Sequence, residues 1–306
     1  MRPVHPNRRV RELECFERGV SAVSRLPSLR ALIRLNRVVA LLLRIMMLER
    51  AGRSNALALR AVRFDVPVRG LPHSLDGVTM CFMSDLHLDS LGPLSEILAD
   101  MLASLRFDLV ILGGDYRYHD HGGVALSERK LERVLAGLVG RAPVYATLGN
   151  HDVYETGRFL EHHGAIVLVN DTAVYRRGGG GLAIVGLDDQ HMYEAADIEA
   201  AEAEMPAGLP KIAVSHTPEL YRTLARRGYA LCLFGHTHGG QICLPGGFPL
   251  MTAARVPRRI ARGRWRYGSL EGYTSTGVGT SGCPARFFCR PEVALITLRQ
   301  SAEASS

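Results

Sequence analysis

A chain of 306 residues with 47% apolar and 22% charged residues has the composition of a folded protein, long enough to bury a sizeable core, and bulk disorder is excluded. The net charge of +7 is unevenly placed: residues 1–60 hold thirteen Arg against four Glu, a balance of +9, and residues 61–306 balance at −2. A body that tracks nucleic acid through a spread of basic charge is not expected.

The N-terminal arm comes first. Arg8-Arg9 is not followed closely by an apolar segment but by Glu12, Glu14 and Glu17, so no secretory signal is read. Residues 26–50 are apolar but interrupted by Arg30, Arg34, Arg37 and Arg44, too broken to span a bilayer. Those arginines share one helical face, while Leu29, Leu32, Ile33, Val39, Leu42, Leu43, Met46 and Met47 fill much of the rest. Such a basic amphipathic helix suits an anionic membrane surface, or docks its apolar face on the body or on a second subunit. The expected organisation is a helical arm over residues 1–60, one main domain over 61–300 and a disordered tail over 301–306.

From about Ala61 the texture becomes that of an α/β domain. Strands are predicted over 62–68, 78–83, 109–112, 144–147, 182–185, 212–214, 230–234, 273–276 and 293–298, with helices near 93–105, 127–139, 195–203 and 218–227. Gly178–Gly181 reads as a hairpin tip. The six cysteines, Cys15, Cys81, Cys232, Cys243, Cys283 and Cys289, show no CxxC pair, which predicts reduced thiols in a cytoplasmic protein.

Five predicted strands are each followed at once by Asp, His or Asn. The segments are Asp85-Leu86-His87, Gly114-Asp115, Gly149-Asn150-His151-Asp152, Ser215-His216, and Gly235-His236-Thr237-His238. Singly, each has a structural explanation, since Asp caps turns and helices. Jointly they have none, because capping does not require histidine, whereas oxygen and imidazole donors at strand ends are what a two-metal hydrolytic site needs.

In this order the segments resemble the calcineurin-like metallophosphoesterases over roughly residues 62–298. Gly240-Gln241-Ile242-Cys243-Leu244-Pro245 and Gly279–Arg286 are similar to the bacterial membrane-associated phosphodiesterase branch, some of whose members are UDP-2,3-diacylglucosamine pyrophosphatases. The resemblance implies a four-layer αββα sandwich with two mixed sheets and two divalent ions, Mn, Fe or Zn. It also implies that Asp85, His87, Asp115 and His238 hold one ion, and Asp115, Asn150, His216 and His236 the other. His151 is implied as the proton donor to the leaving oxygen.

One position departs from the family. Many relatives carry an acid three residues after the bridging Asp, where it orients the catalytic His; here that position is Tyr118, and either Asp120 or Asp152 substitutes or the substrate has a leaving group, such as a nucleoside monophosphate, that needs little protonation. Arg117 is a candidate phosphate contact. Arg255, Arg258 and Arg259 open a basic segment that continues through Arg262, Arg264 and Arg266 with Trp265 and Tyr267, suited to a phosphate or lipid headgroup. The expected function is hydrolysis of phosphodiester or pyrophosphate bonds on a lipid-linked or nucleotide-linked substrate, by an enzyme peripheral to the inner face of the cell membrane. A nuclease or cyclic-nucleotide phosphodiesterase, and a non-catalytic scaffold of the same fold, are the alternatives.

Overall fold

Strand β2 (Thr79–Met83) shows how the sequence builds its layers. Met80 and Phe82 point to one face and Cys81 and Met83 to the other, and all four are fully buried. A strand covered on both sides must sit inside a stack of sheets and helices. The computed structural model of the chain describes residues 38–118 and 124–301, together with residues 6, 8–10 and 12.

The described elements run α1 (Glu49–Leu57), β1 (Arg60–Val68), β2, α2 (Leu94–Ser104), β3 (Leu109–Leu112), α3 (Val124–Ala136), β4 (Val144–Ala146), α4 (Tyr154–His162), β5 (Ile166–Val167), β6 (Asp171–Arg177) and β7 (Gly180–Leu187). They continue with α5 (Ile198–Glu202), β8 (Lys211–Ser215), α6 (Tyr221–Arg226), β9 (Leu231–Phe234), β10 (Cys243–Leu244), β11 (Phe248–Pro249), β12 (Gly263–Tyr267), β13 (Leu270–Thr274) and β14 (Glu292–Gln300). Two six-stranded sheets form, in the orders β1-β14-β2-β3-β4-β5 and β12-β13-β9-β8-β7-β6, and β10 pairs with β11 apart from both. Both large sheets are mixed: β14 runs antiparallel to β2, and β6 and β12 run antiparallel to their neighbours β7 and β13.

Residue parity assigns the layers. Phe82, Leu109, Ile111, Ile212, Val214, Leu231 and Leu233 fill the space between the sheets. The opposite face of the first sheet, with Cys81, Met83, Val110 and Leu112, packs on Leu98 and Leu102 of α2 and Leu131 and Val134 of α3. The outer face of the second, with Ala213, Cys232 and Phe234, packs on Ile198 of α5 and Leu224 of α6. Helix, sheet, sheet and helix are thus the four layers expected. Truncating one central side chain such as Phe82 to Ala costs about 3–5 kcal/mol through lost transfer energy and the cavity left behind.

The strands predicted over 109–112, 212–214 and 230–234 are found within a residue or two. The glycine tip is a two-residue turn, Gly178-Gly179, between β6 and β7, with both glycines at positive φ. β5, β6, α4, β10, β11 and β12 were not predicted.

Only part of the arm falls within the described residues. Residues 26–37 of the predicted amphipathic helix lie outside them, with Arg30, Arg34 and Arg37, as do Cys15, Asp120 and residues 302–306. A helix covers 38–45, the chain breaks at 46–48, and α1 follows. Leu43 packs with Cys283 and Ala285, so this helix docks one face on the body. Helix α1 is also fastened there, by Arg286 N–H to the Gly52 carbonyl at 3.0 Å and Asn55 Nδ2 to the Arg286 carbonyl at 3.1 Å. Among the described residues no helix is long and apolar enough to cross a membrane. The five described cysteines are buried and free.

Candidate metal centre

Every candidate ligand lies just past the carboxyl end of a strand. The first sheet supplies Asp85 and His87 after β2, Asp115 after β3 and Asn150 after β4; the second supplies His216 after β8, and His236 and His238 after β9. The centre therefore sits on the seam between the two sheets. Backbone conformation there is unusual: Asp85, His87, Asp115, His236 and His238 all take positive φ, between 38° and 67°. Each such residue costs on the order of 1 kcal/mol or more, and the surrounding packing must hold it.

Glycines let the turns close on each other. A Cβ on Gly149 would stand 2.7 Å from the Asp115 nitrogen, and one on Gly235 would stand 2.5 Å from Asp85 Oδ2. Either contact would push a ligand turn out of place. Across the seam, the His236 N–H donates to both oxygens of Asp85, at 2.9 and 3.0 Å.

The side chains gather into two clusters of buried donors, Asp85 with His87 and His238, and Asp115 with His216 and His236; within each, the ligand atoms lie within 4.8 Å of one another. Asp115 stands between the two. Its Oδ2 is 3.5 Å from His87 Nε2 and 3.1 Å from His216 Nε2, while its Oδ1 accepts the His151 N–H at 2.9 Å.

The hydrogen bonds on the far side of the rings fit a cation. His87 Nδ1 meets the Arg117 carbonyl at 2.9 Å and His216 Nδ1 the Gly113 carbonyl at 2.8 Å, so in the neutral ring each Nδ1 carries the proton and each Nε2 presents a lone pair to the centre. Both Nε2 atoms are buried without a hydrogen-bond partner. His236 reverses the arrangement: Nε2 faces the Ala253 carbonyl at 3.3 Å, and Nδ1 faces Asn150 Oδ1 at 2.8 Å. A neutral ring donating to Ala253 sets a nitrogen lone pair against the Asn150 oxygen, a clash that a shared cation relieves. The residues present thus fit divalent metal.

Electrostatics agree with charge to be neutralised. Burial pushes Asp85 up to about 6 and His87 and His236 down to about 4. For Asp115 burial also acts upward, but the imidazoles of His216, His151 and His87 outweigh it and hold its carboxyl well below the usual range. Burial acts downward on His216, and Asp115 outweighs that, raising it to about 10.

His151 borders the first cluster, its ring 5.2 Å from that of His87 and 5.6 Å from Tyr118. The Asp152 carboxylate accepts the backbone N–H groups of Asp115, Gly149 and Tyr116 at 2.7–3.0 Å, binding the β3 and β4 turns together. Arg117 is buried, with Nε donating to the His151 carbonyl at 2.9 Å.

The basic segment divides. Arg262 donates to the Gly247 carbonyl, Arg264 lies over Phe64, and Arg266 is 3.6 Å from Glu271; the last two, with Trp265 between them, belong to edge strand β12. Arg255, Arg258 and Arg259 are exposed on the preceding loop, just after Ala253 beside His236, and Arg258 stands over Phe248.

Some residues around the centre went unread in the sequence. His191 Nδ1 meets Glu219 Oε1 at 2.8 Å, and its ring lies 4.6 Å from that of His236. Asp188 and Asp189 follow β7, the same strand-end signal that singled out the ligands. Asp189 Oδ2 accepts the N–H groups of Met192 and Tyr193, and Asp188 pairs with Arg8. Buried Arg286 donates to the Gly279 carbonyl at 2.6 Å and approaches His238 Nδ1 at 3.5 Å.

Two mixed sheets with paired Asp/His clusters at their seam define a metallophosphoesterase. The calcineurin-like phosphoesterase family model matches residues 78–240, and the chain belongs to that family. It is 32% identical over 228 residues to phosphodiesterase YaeI of Escherichia coli (strain K12), covering 71% of this chain and 80% of that protein. It is 28% identical over 246 residues to the uncharacterized metallophosphoesterase YkuE of Bacillus subtilis (strain 168), covering 76% and 82%. A Danio rerio transmembrane protein with a metallophosphoesterase domain is 27% identical over 267 residues, covering 79% of this chain and 58% of that one. The chain is accordingly a metal-dependent phosphoester hydrolase.

Proposed function

We propose that the chain hydrolyses phosphodiester or pyrophosphate bonds with two divalent ions, one held by Asp85, His87, Asp115 and His238 and the other by Asp115, Asn150, His216 and His236. The observation that carries this reading is Asp115 Oδ2, set between two buried imidazole nitrogens that have no hydrogen-bond partner. When bound, the ions polarise phosphoryl oxygens and lower the pKa of an attacking water.

The protein's part is to fix these donors and handle the leaving group. Backbone carbonyls of Arg117 and Gly113 lock the tautomers of His87 and His216. His151, tied by its own N–H to Asp115 and by its carbonyl to Arg117, donates a proton to the departing oxygen. Arg255, Arg258 and Arg259 hold the distal part of an anionic substrate.

The substrate class we favour is a lipid-linked pyrophosphate of the UDP-2,3-diacylglucosamine type, cleaved at the inner face of the cell membrane. Support comes from the basic amphipathic arm over residues 26–50 and from the arginines beside His236. Purified protein supplied with Mn²⁺ is expected to cleave bis(p-nitrophenyl) phosphate and a UDP-acylsugar. Failure on both, with metal bound, would falsify the catalytic reading; cleavage of the diester alone removes the lipid-linked substrate.

A further inference from the structure

The helix over 38–45 buries only one of its faces. Leu43 packs on Cys283 and Ala285, while Val38, Leu41, Leu42 and Ile45, at i, i+3, i+4 and i+7, form an outward stripe that is 50–67% exposed. Met46 and Met47 extend it, at 61% and 87%. No packing among the described residues accounts for this stripe.

A second group of exposed apolar side chains lies on the same support. Ile242 and Phe287 form a β-bridge and both pack in the cluster that holds Leu43. Immediately beyond them, Leu244, Phe248, Leu250, Met251 and Phe288 are 37–58% exposed. Leu244 faces Phe248 across the β10–β11 pair, and Gly247 between them approaches the Phe288 carbonyl.

Exposed arginines accompany both groups: Arg258 lies over the Phe248 ring, Arg44 lines the same cleft as Leu41 and Leu43 together with Glu49, and Arg50, Arg259 and Arg290 are exposed close by in the sequence. Large apolar side chains accompanied by Arg are the composition of an interfacial element, in which the rings and methyls enter the acyl boundary and the guanidinium groups meet lipid phosphate.

The same hairpin packs against the turn that carries His238. A Cβ on Gly240, two residues past His238, would strike Pro249 and come within 3.1 Å of the Met251 carbonyl.

We infer that the β10–β11 hairpin and Phe288, with the helix over 38–45, form one face that docks on an anionic lipid bilayer and holds the metal centre at its surface. This deepens the lipid-linked reading above, on which it rests for its purpose, and adds to the described part of the arm a contact from the β10–β11 hairpin and Phe288, outside it. The occupant is a bilayer and not a second copy, because a face accompanied by arginines repels its own image in a symmetric pair and is attracted by lipid phosphate.

The experiment is sedimentation of the full chain with vesicles of phosphatidylcholine alone or with phosphatidylglycerol, for the wild type and for the double variant F248D/F288D. The wild type is expected to pellet with the anionic vesicles, and the double variant to lose at least about tenfold in partitioning. Its hydrolysis of bis(p-nitrophenyl) phosphate and its circular dichroism stay at wild-type level, which separates failure of docking from failure of catalysis or folding. Wild-type sedimentation by a folded double variant overturns the inference. So does light scattering that finds a wild-type dimer which the double variant dissolves, because the face then belongs to a subunit interface.

Discussion

Arg8 and Asp188 form a fully buried ion pair, with Nε 2.8 Å and a second guanidinium nitrogen 2.7 Å from Asp188 Oδ1. The remaining donors of Arg8 reach the carbonyls of Asp152 at 2.8 Å and Gly149 at 3.2 Å, so one residue of the arm grips both ends of the loop that carries Asn150 and His151. Removing Arg8 strands the Asp188 charge in the interior. Arg8→Ala is expected to cost about 3–5 kcal/mol of stability, and Arg8→Lys to recover little of it, because a single ammonium cannot satisfy the fork. Denaturant unfolding checks this, and guanidinium added to the Ala variant should restore part of the loss; a variant as stable as the wild type contradicts the clamp.

Asp115 faces both clusters, so its loss should weaken both ions together. Asp115→Asn keeps the shape and removes the charge, and turnover of a soluble diester is expected to fall more than about a hundredfold. Elemental analysis should find metal depleted below one ion per chain. Normal metal content with normal turnover would mean that the ligand assignment is wrong.

His151→Ala separates proton donation from metal binding. Diesters with poor leaving groups should slow by about 10²–10⁴, while p-nitrophenyl esters, whose phenolate leaves without help, slow much less. Equal slowing of the whole series would remove the proton-donor role.

Glu219 sets the acid limit of the pocket beside His236. Burial raises its carboxyl, but the hydrogen bond from His191, with the charges of His236 and His191, outweighs burial and lowers it from 4.5 to about 2. A depressed folded-state value stabilises the fold above the unfolded value and loses that contribution as pH falls through the folded one. The difference in unfolding free energy between the wild type and Glu219→Gln, in metal-free protein, should hold at about 3 kcal/mol above pH 5 and close between pH 4.5 and 2. A difference that does not change over that range removes the pairing.

Much of this architecture was legible because burial leaves a mark on composition. β3 is four apolar residues covered on both faces, and its predicted and observed limits coincide. β6 was hidden by the opposite condition: Asp171–Arg177 is half-exposed along most of its length and shows no alternation. In α4, Gly157 interrupts a short helix; in β12 the arginines drew attention as charge, although Trp265 buried between exposed Arg264 and Arg266 is the period-two pattern of an edge strand. The seven candidate ligands could be read because each follows a strand at once. Arg8 could not, since its partner is 180 residues away and an isolated arginine carries no sign of burial. The choice left open by Tyr118 also needed geometry: only coordinates reveal that Asp152 is occupied by three backbone amides.

The turn at Gly178-Gly179 divides the chain so that neither portion owns a complete cluster: Asp85, His87, Asp115 and Asn150 precede it, and His216, His236 and His238 follow. Each cluster draws donors from both portions. Cut at that turn, neither fragment alone is expected to hold a metal ion at either cluster, which makes metal uptake a readout of whether the two halves have met.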